Sequence, residues 1–188
     1  MSYVERRRFL WILLFAALTL LAIAANATTL ARMRLEELAQ QATAVARLRC
    51  ISTKSLWENG EIWTDTQFEV VEQSKGALPA TITVRTLGGT LGPIHSRVEE
   101  EPAFHPGEET YLFLWGREGQ PFRVLGWSQG TFRIARDTRT GEETVTQDSA
   151  AIPLFDTRAR KFVHEGIRNL SITVFQVNLQ KALRGEKP

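Results

Sequence analysis

Asn59-Gly60 and the alternating residues that follow it constrain the fold more than any other part of the chain. Asn and Gly both tolerate positive φ, so the pair predicts a tight turn. After the turn, one face carries Ile62, Thr64, Thr66, Phe68 and Val70, and the other carries Trp63, Asp65, Gln67 and Glu69. A period of two predicts a half-buried β-strand, which Lys75-Gly76 and Pro79 end.

Other strand-like segments follow at turn-separated intervals. They are residues 46–50, 81–87, 109–115, 122–127, 131–135 and 143–147. Residues 109–115 are almost continuously apolar, which predicts a buried central strand, and the last two segments predict a hairpin across residues 137–141. Residues 88–107 begin with Gly and Pro residues and are predicted to be irregular.

Two helices complete the predicted organisation. Helical spacing of apolar residues predicts a short helix within residues 30–46, and a second helix that Ser171 or Thr173 caps. Short strands with a helix at each end predict a mainly β domain, either a small barrel or a sandwich.

Residues 1–27 contain the three parts of a secretory signal peptide. Arg6-Arg7-Arg8 is a basic start, residues 9–25 form an apolar run, and Ala25-Asn26-Ala27 is a cleavage sequence. We therefore expect a removed signal and one extracytoplasmic domain over residues 28–188, periplasmic or secreted. The alternative is an uncleaved N-terminal anchor, because the run is only slightly short of a membrane span.

The charge balance disfavours a nucleic-acid partner. The chain has 23 Lys+Arg and 21 Asp+Glu, and without residues 1–27 it retains 20 of each. A neutral domain has no general electrostatic attraction for a phosphate backbone, so we expect no nucleic-acid partner.

Cys50 is the only cysteine, so no disulfide can form within one chain and the apolar core must stabilise the domain alone. Free cysteine is among the most buried residue types, which predicts a buried Cys50. The alternatives are a reactive thiol and an intermolecular disulfide.

Three segments resemble the netrin-like domain. They are residues 35–51, which begin Leu35-Glu36-Glu37-Leu38, residues 68–76, which end in Lys75-Gly76, and residues 106–114, which begin Pro106-Gly107-Glu108-Glu109. The same order of helix, strand, Lys-Gly, Gly-Glu-Glu and strand is found in uncharacterised bacterial exported proteins. The resemblance covers residues 35–135 and implies an OB-like barrel, the fold also seen in tissue inhibitors of metalloproteinases. Their N-terminal cysteine and disulfides have no counterpart here, so the resemblance does not imply their inhibitory chemistry.

Gly126-Trp127-Ser128-Gln129-Gly130 fits the G-x-S-x-G pattern of serine hydrolases. A later aspartate (Asp137, Asp148 or Asp156) and then His164 would complete a triad in the chain order of that class. The pattern requires a strand before the serine and a helix after it, whereas residues 131–134 are strand-like. A turn between two strands explains both glycines, and we predict no catalytic residue.

His95 and His105 flank Glu99-Glu100-Glu101, and these are residue types that bind divalent ions. Their spacing matches no tight-binding metal motif, so we predict no metal or cofactor site. Among the tryptophans, Trp63 shares a face with polar residues and is the best candidate for an exposed contact. Trp115 lies in the apolar run and is predicted to be in the core.

The sequence therefore favours an exported, non-enzymatic domain that binds another protein of unknown identity. One alternative is a serine hydrolase that uses Ser128. The other is a structural module of the cell envelope that an uncleaved N-terminal helix tethers to the membrane.

Overall fold

The computed structural model describes Trp11 and residues 30–117 and 119–186. Apart from Trp11, the predicted signal peptide over residues 1–27 lies outside the described residues. Contacts divide the chain into Met1–Ala31 and Arg32–Pro188, and the helices and strands below belong to the second unit. Among the described residues, no helix is both long enough and apolar enough to cross a membrane.

The described residues form two α-helices, twelve β-strands and two short 3-10 helices. In chain order they are α1 Leu35–Gln41, β1 Ala44–Glu58, β2 Glu61–Lys75, β3 Thr81–Leu87, β4 Gly89–Leu91, β5 Ile94–Ser96, β6 Glu109–Trp115, β7 Arg123–Val124, a 3-10 helix Trp127–Gly130, β8 Thr131–Arg136, β9 Glu143–Gln147, a 3-10 helix Asp148–Ala151, β10 Leu154–Asp156, β11 Lys161–Val163, β12 Leu170–Ser171 and α2 Ile172–Leu183. The prediction of a mainly β domain with a helix near each end is confirmed.

One antiparallel sheet organises the domain. Its strand order is β12-β9-β8-β6-β1-β2-β3, and β7 pairs with the end of β6. Strands β3, β6 and β9 have the predicted bounds, and β8 and β9 form the predicted hairpin. The strands β4 and β5 were missed, because they lie within the segment predicted to be irregular.

The predicted barrel is not closed by a ladder of strands in the described part of the chain. Instead, one isolated parallel bridge joins Val84 of β3 to Phe122. There the Phe122 N–H donates to Thr83 O at 2.8 Å, and the Arg85 N–H donates to Phe122 O at 2.8 Å. Pro121 has no N–H to extend this contact, and from Arg123 onward the chain pairs with β6.

Strands β1 and β2 form the longest hairpin, with 15 residues in each strand. Asn59 (φ 52°) and Gly60 (φ 85°) form its turn, as predicted. The first half of β1, Ala44–Arg49, also pairs with β6, whereas its second half extends beyond that strand.

Apolar residues cover both faces of the sheet. One face, here called the inner face, buries Leu48, Cys50, Phe68, Val84 and Leu112. Cys50 is 2 % exposed, which confirms its predicted burial. The pairs Thr53–Thr66, Ser55–Thr64 and Trp57–Ile62 continue this inner face along the hairpin beyond the bulge at Cys50/Ser52.

The two helices cover the opposite face. Phe175 of α2 contacts Tyr111 and Phe132, with ring centroids 5.1 and 5.2 Å apart, and Leu38 of α1 belongs to the same cluster. Helix α2 begins after Ser171, one of the two predicted caps, and its first turns leave Val174 exposed. Helix α1 is shorter than predicted, because the chain is already extended at Ala42 and enters β1.

Candidate functional site

An open cleft of about 880 Å³ lies beside the outer half of the β1–β2 hairpin. The inner face of the hairpin, the β4–β5 hairpin, residues 97–105 and the 3-10 helix around Ser128 line it. Seven Ser and Thr side chains lie in this lining, together with acidic, basic and histidine side chains. The cleft is therefore polar and hydroxyl-rich.

A close approach of β4 to the hairpin forms one wall of the cleft. Gly89 has φ +137°, and a Cβ at this position would overlap Thr64 Oγ1 and Ser55 Oγ. Thr64 Oγ1 donates to Gly88 O at 2.7 Å, Ser55 Oγ lies 3.0 Å from Thr64 Oγ1, and the Thr90 N–H donates to Ser55 Oγ at 3.2 Å. Only glycine allows this contact, so the wall depends on Gly89.

Ser128 contributes to the opposite side of the cleft. Its Oγ donates to Glu100 Oε2 at 3.0 Å, and its N–H donates to Glu100 O at 3.0 Å. The side chain lies in a 3-10 helix that begins after Gly126 (φ 67°), and β8 follows directly at Thr131. A Cβ at Gly130 would overlap Leu125 O, so both glycines of the pattern serve the turn.

The residues of the possible triad do not meet at Ser128. Asp137 accepts the backbone N–H groups of Arg139 and Thr140, which lower the pKa of its carboxyl. Asp148 is bonded to Arg133, and its carboxyl lines the cleft as an ion-pair partner.

Asp156 and His164 do not line the cleft that contains Ser128. Asp156 accepts the N–H groups of Ala159 and Arg158 and pairs with Arg32, and these contacts lower its pKa to about 2. His164 is exposed and does not line the cleft. The hydrolase alternative therefore gains no geometric support.

Both predicted histidines line the cleft, each with a local partner. His95 Nδ1 lies 2.8 Å from Thr90 Oγ1, and His105 Nδ1 lies 2.9 Å from Glu108 Oε1. Glu101 accepts the Leu87 N–H at 3.0 Å, and burial raises the pKa of its carboxyl. Within residues 30–117 and 119–186, no three His, Cys, Asp or Glu side chains are grouped so that they could hold a metal ion.

Arg133 fixes the wall of the cleft next to β8, a role that the sequence did not indicate. It donates to both oxygens of Asp148, to Glu108 Oε2 at 2.9 Å and to Ala103 O at 2.8 Å. Its guanidinium also lies 5.0 Å from the ring centroid of Phe104. The positive charge of Arg133 is therefore balanced by neighbouring carboxylates.

A second concave feature lies at the end of the hairpin. It is a cavity of about 270 Å³, and five of its lining residues, here called the tip cluster, are apolar: Trp57, Ile62, Leu87, Ile94 and Val98. Trp57 is 55 % exposed and Ile94 is 51 % exposed. The sequence did not indicate the tip cluster, because Ile94 belongs to β5, a strand that was not predicted.

Two predictions about tryptophans are wrong. Trp63 is half-buried, since the Arg123 guanidinium lies 4.3 Å from its ring centroid. Trp115 is 52 % exposed, because its position at the end of β6 lies beyond the apolar clusters on the two faces of the sheet.

Comparison with known proteins identified no relative. No family model matches the chain, and neither a curated protein nor a solved structure matches it. The resemblance to the netrin-like domain stays a prediction, and the function has to be argued from the cleft and the tip cluster.

Proposed function

We propose that this protein is a non-enzymatic, extracytoplasmic domain that binds another protein through the end of its β1–β2 hairpin. The exposed tip cluster carries this proposal. About half of the surface of Trp57 and of Ile94 is exposed to water around a concave centre. Burial of this apolar surface by a partner would be energetically favourable. An exposed aromatic anchor beside a small cavity is a typical hot spot of protein recognition.

The charges around the tip cluster favour a protein partner over an anionic membrane. Glu58 and Glu61 flank the turn next to Trp57, and Glu58 pairs with Arg85 at 2.5 Å. Carboxylates at this position repel anionic lipid headgroups, whereas a polar rim around an apolar centre is the common arrangement of protein interfaces.

The finer fold assignment, an OB-like barrel, is part of this proposal. The antiparallel pairing of β1 with β6 supports it. The parallel bridge between Val84 and Phe122 also supports it, because it brings β3 next to the residue before β7, and β7 itself pairs with β6. OB-type barrels bind their ligands on strand faces and adjoining loops, which corresponds to the position of the cleft and the tip cluster.

Site-specific photo-cross-linking in the native cell tests the proposed function. The photoreactive residue p-benzoylphenylalanine is placed at position 94 in the tip cluster and, as a control, at position 174 on α2, where Val174 is also half-exposed. We expect a discrete protein adduct from position 94 and none from position 174. The W57A variant should reduce that adduct about tenfold, because it removes the aromatic anchor.

The proposal is wrong if position 94 gives no adduct, or if positions 94 and 174 give the same adducts. The V174A variant serves as the matched control for W57A. Both substitutions remove a half-exposed apolar side chain, so a similar loss of the adduct in both variants would indicate a general effect on folding and would contradict the proposed surface.

A further inference from the structure

One edge of β1 has no strand partner in its outer half. The pairing of β1 with β6 ends at Arg49–Glu109, and Cys50 then exchanges backbone hydrogen bonds with Glu108 and Gly107. Beyond Cys50, no strand of the described residues pairs with this edge, although β2 pairs with the other edge up to Glu58. Unpaired N–H and C=O groups along residues 51–58 are a template for a further strand.

The open edge borders both concave features. Thr53 and Ser55 point from the inner face into the cleft, and Trp57 lines the tip cavity. A strand added along this edge would place every second side chain over the same face. Side chains four residues apart, about 13 Å along the strand, would lie beside Thr53 and beside Trp57.

We infer that this edge binds an extended segment of the partner by β-strand addition, with an apolar side chain beside Trp57 and a basic side chain, four residues away, in the cleft. This inference deepens the proposed function and rests on it. Main-chain hydrogen bonds supply affinity in this mode of recognition, and the pockets for alternate side chains supply specificity.

The charges in the cleft select the basic side chain. Two arginines line the cleft: Arg133 is already paired with Asp148 and Glu108, and Arg97 is exposed to solvent. The half-buried Glu100 and Glu101 are therefore the carboxylates of the lining that a ligand can neutralise. Both carboxylates are half-buried, where an incoming cation interacts with them more strongly than in open water.

We expect Lys54 to disfavour non-specific strand pairing at this edge, including pairing with a second copy of this chain. Lys54 is exposed on the outer face of the same edge, and a charged lysine is a common device against edge-to-edge association. A partner segment with an acidic residue opposite Lys54 would tolerate this charge, whereas a strand with an apolar or basic residue there would not.

Labelled threonine-rich peptides test the inference by fluorescence anisotropy. In the test peptides, Lys and Leu are separated by three threonines, in either order, and in the control peptides by two, which places them on opposite faces of a strand. We expect the test spacing to bind at least about tenfold more tightly. N-methylation of one alternate set of peptide nitrogens should abolish binding, and N-methylation of the other set should not.

The same peptides identify the groups that bind them. Amide hydrogen exchange should slow at residues 51–58 when the test peptide is added, and residues 81–87 of β3 serve as the internal control. E100Q and E101Q should weaken the binding of the lysine peptide, because these variants remove a negative charge and keep an acceptor oxygen. They should leave the binding of a peptide with norleucine in place of lysine unchanged.

The outcomes separate this inference from the proposed function. If position 94 is cross-linked to a partner and no peptide protects residues 51–58, the edge inference is wrong and the proposed function stands. If peptides protect the edge and position 94 gives no adduct, the proposed function is wrong. The inference would also be overturned if the peptide-free protein forms a dimer in sedimentation velocity and the amides of residues 51–58 are protected from hydrogen exchange in that dimer. A second copy of the chain would then occupy the edge.

Discussion

The hydroxyl of Ser128 donates a hydrogen bond to the carboxylate of Glu100 at 3.0 Å, while the Ser128 N–H donates to the Glu100 carbonyl oxygen. These two bonds join residues that are 28 positions apart and attach the wall of the cleft to the turn between β7 and β8. The serine of the G-x-S-x-G pattern therefore has a structural partner, and no histidine imidazole is among its hydrogen-bond partners in the part of the chain that the structure describes.

We expect Ser128 to be unreactive toward serine-directed fluorophosphonates. Ser128 is 4 % exposed, and the only hydrogen-bond acceptor of its hydroxyl among the described residues is Glu100. Intact mass after incubation with the probe measures labelling, and the S128A variant is the blank. Stoichiometric labelling that S128A abolishes would contradict this prediction and support the serine hydrolase.

The same contact has a measurable effect on folding. S128A should lower the free energy of unfolding by about 1–2 kcal/mol, because Glu100 loses a donor in a half-buried site. Ser52, whose side chain is exposed, offers the matched control, and S52A should change stability by less than about 0.5 kcal/mol. Equal effects of the two substitutions in urea unfolding would contradict a structural role for the Ser128–Glu100 contact.

The thiol of Cys50 should react only when the protein unfolds. Cys50 is 2 % exposed on the inner face, and burial raises the pKa of its thiol, so little thiolate forms at neutral pH. We expect no reaction with iodoacetamide in the folded state and rapid reaction in denaturant. Rapid labelling of the folded protein, or a disulfide-linked dimer on a non-reducing gel, would favour one of the two alternatives for this residue.

Local patterns were sufficient to predict much of the sheet but not the cleft. The alternation in β2 and the apolar run of β6 predict those strands because side-chain direction repeats every two residues and burial follows it. The cleft depends on the approach of Gly89 to Ser55 and on the Ser128–Glu100 contact, both of which join distant parts of the chain. Trp115 was misplaced for a related reason, since its exposure depends on how far the two apolar clusters extend along the sheet.

Gly89 should be among the residues least tolerant of substitution. G89A adds a Cβ that overlaps the hydroxyls of Ser55 and Thr64, and it imposes a side chain on a backbone with φ +137°. We expect a loss of about 2–4 kcal/mol in the free energy of unfolding. Gly92 offers a matched control, because it has φ +58° and open space around its Cβ position, and G92A should cost about 1 kcal/mol. If G89A is no more destabilising than G92A, the claim that β4 packs too closely against the hairpin for a side chain at position 89 is wrong.

Asp156 should make folding sensitive to acid. It accepts the N–H groups of Ala159 and Arg158 and pairs with Arg32, and these contacts lower its pKa from 3.8 to about 2. Because the pKa is lower in the folded state than in the unfolded state, the ionised carboxylate stabilises the fold above about pH 4. This contribution is lost as the pH falls toward 2.

The D156N variant tests this contribution directly. It should be less stable than the parent protein at pH 7, and the difference between the two should shrink as the pH falls from 4 to 2, because protonation then removes the same charge from the parent. Urea unfolding at a series of pH values measures both stabilities, and E61Q, at the exposed end of the hairpin, is the control for loss of a carboxylate. A difference between D156N and the parent that is constant from pH 7 to pH 2 would contradict the prediction, since the charge of Asp156 would then not be what stabilises its contacts.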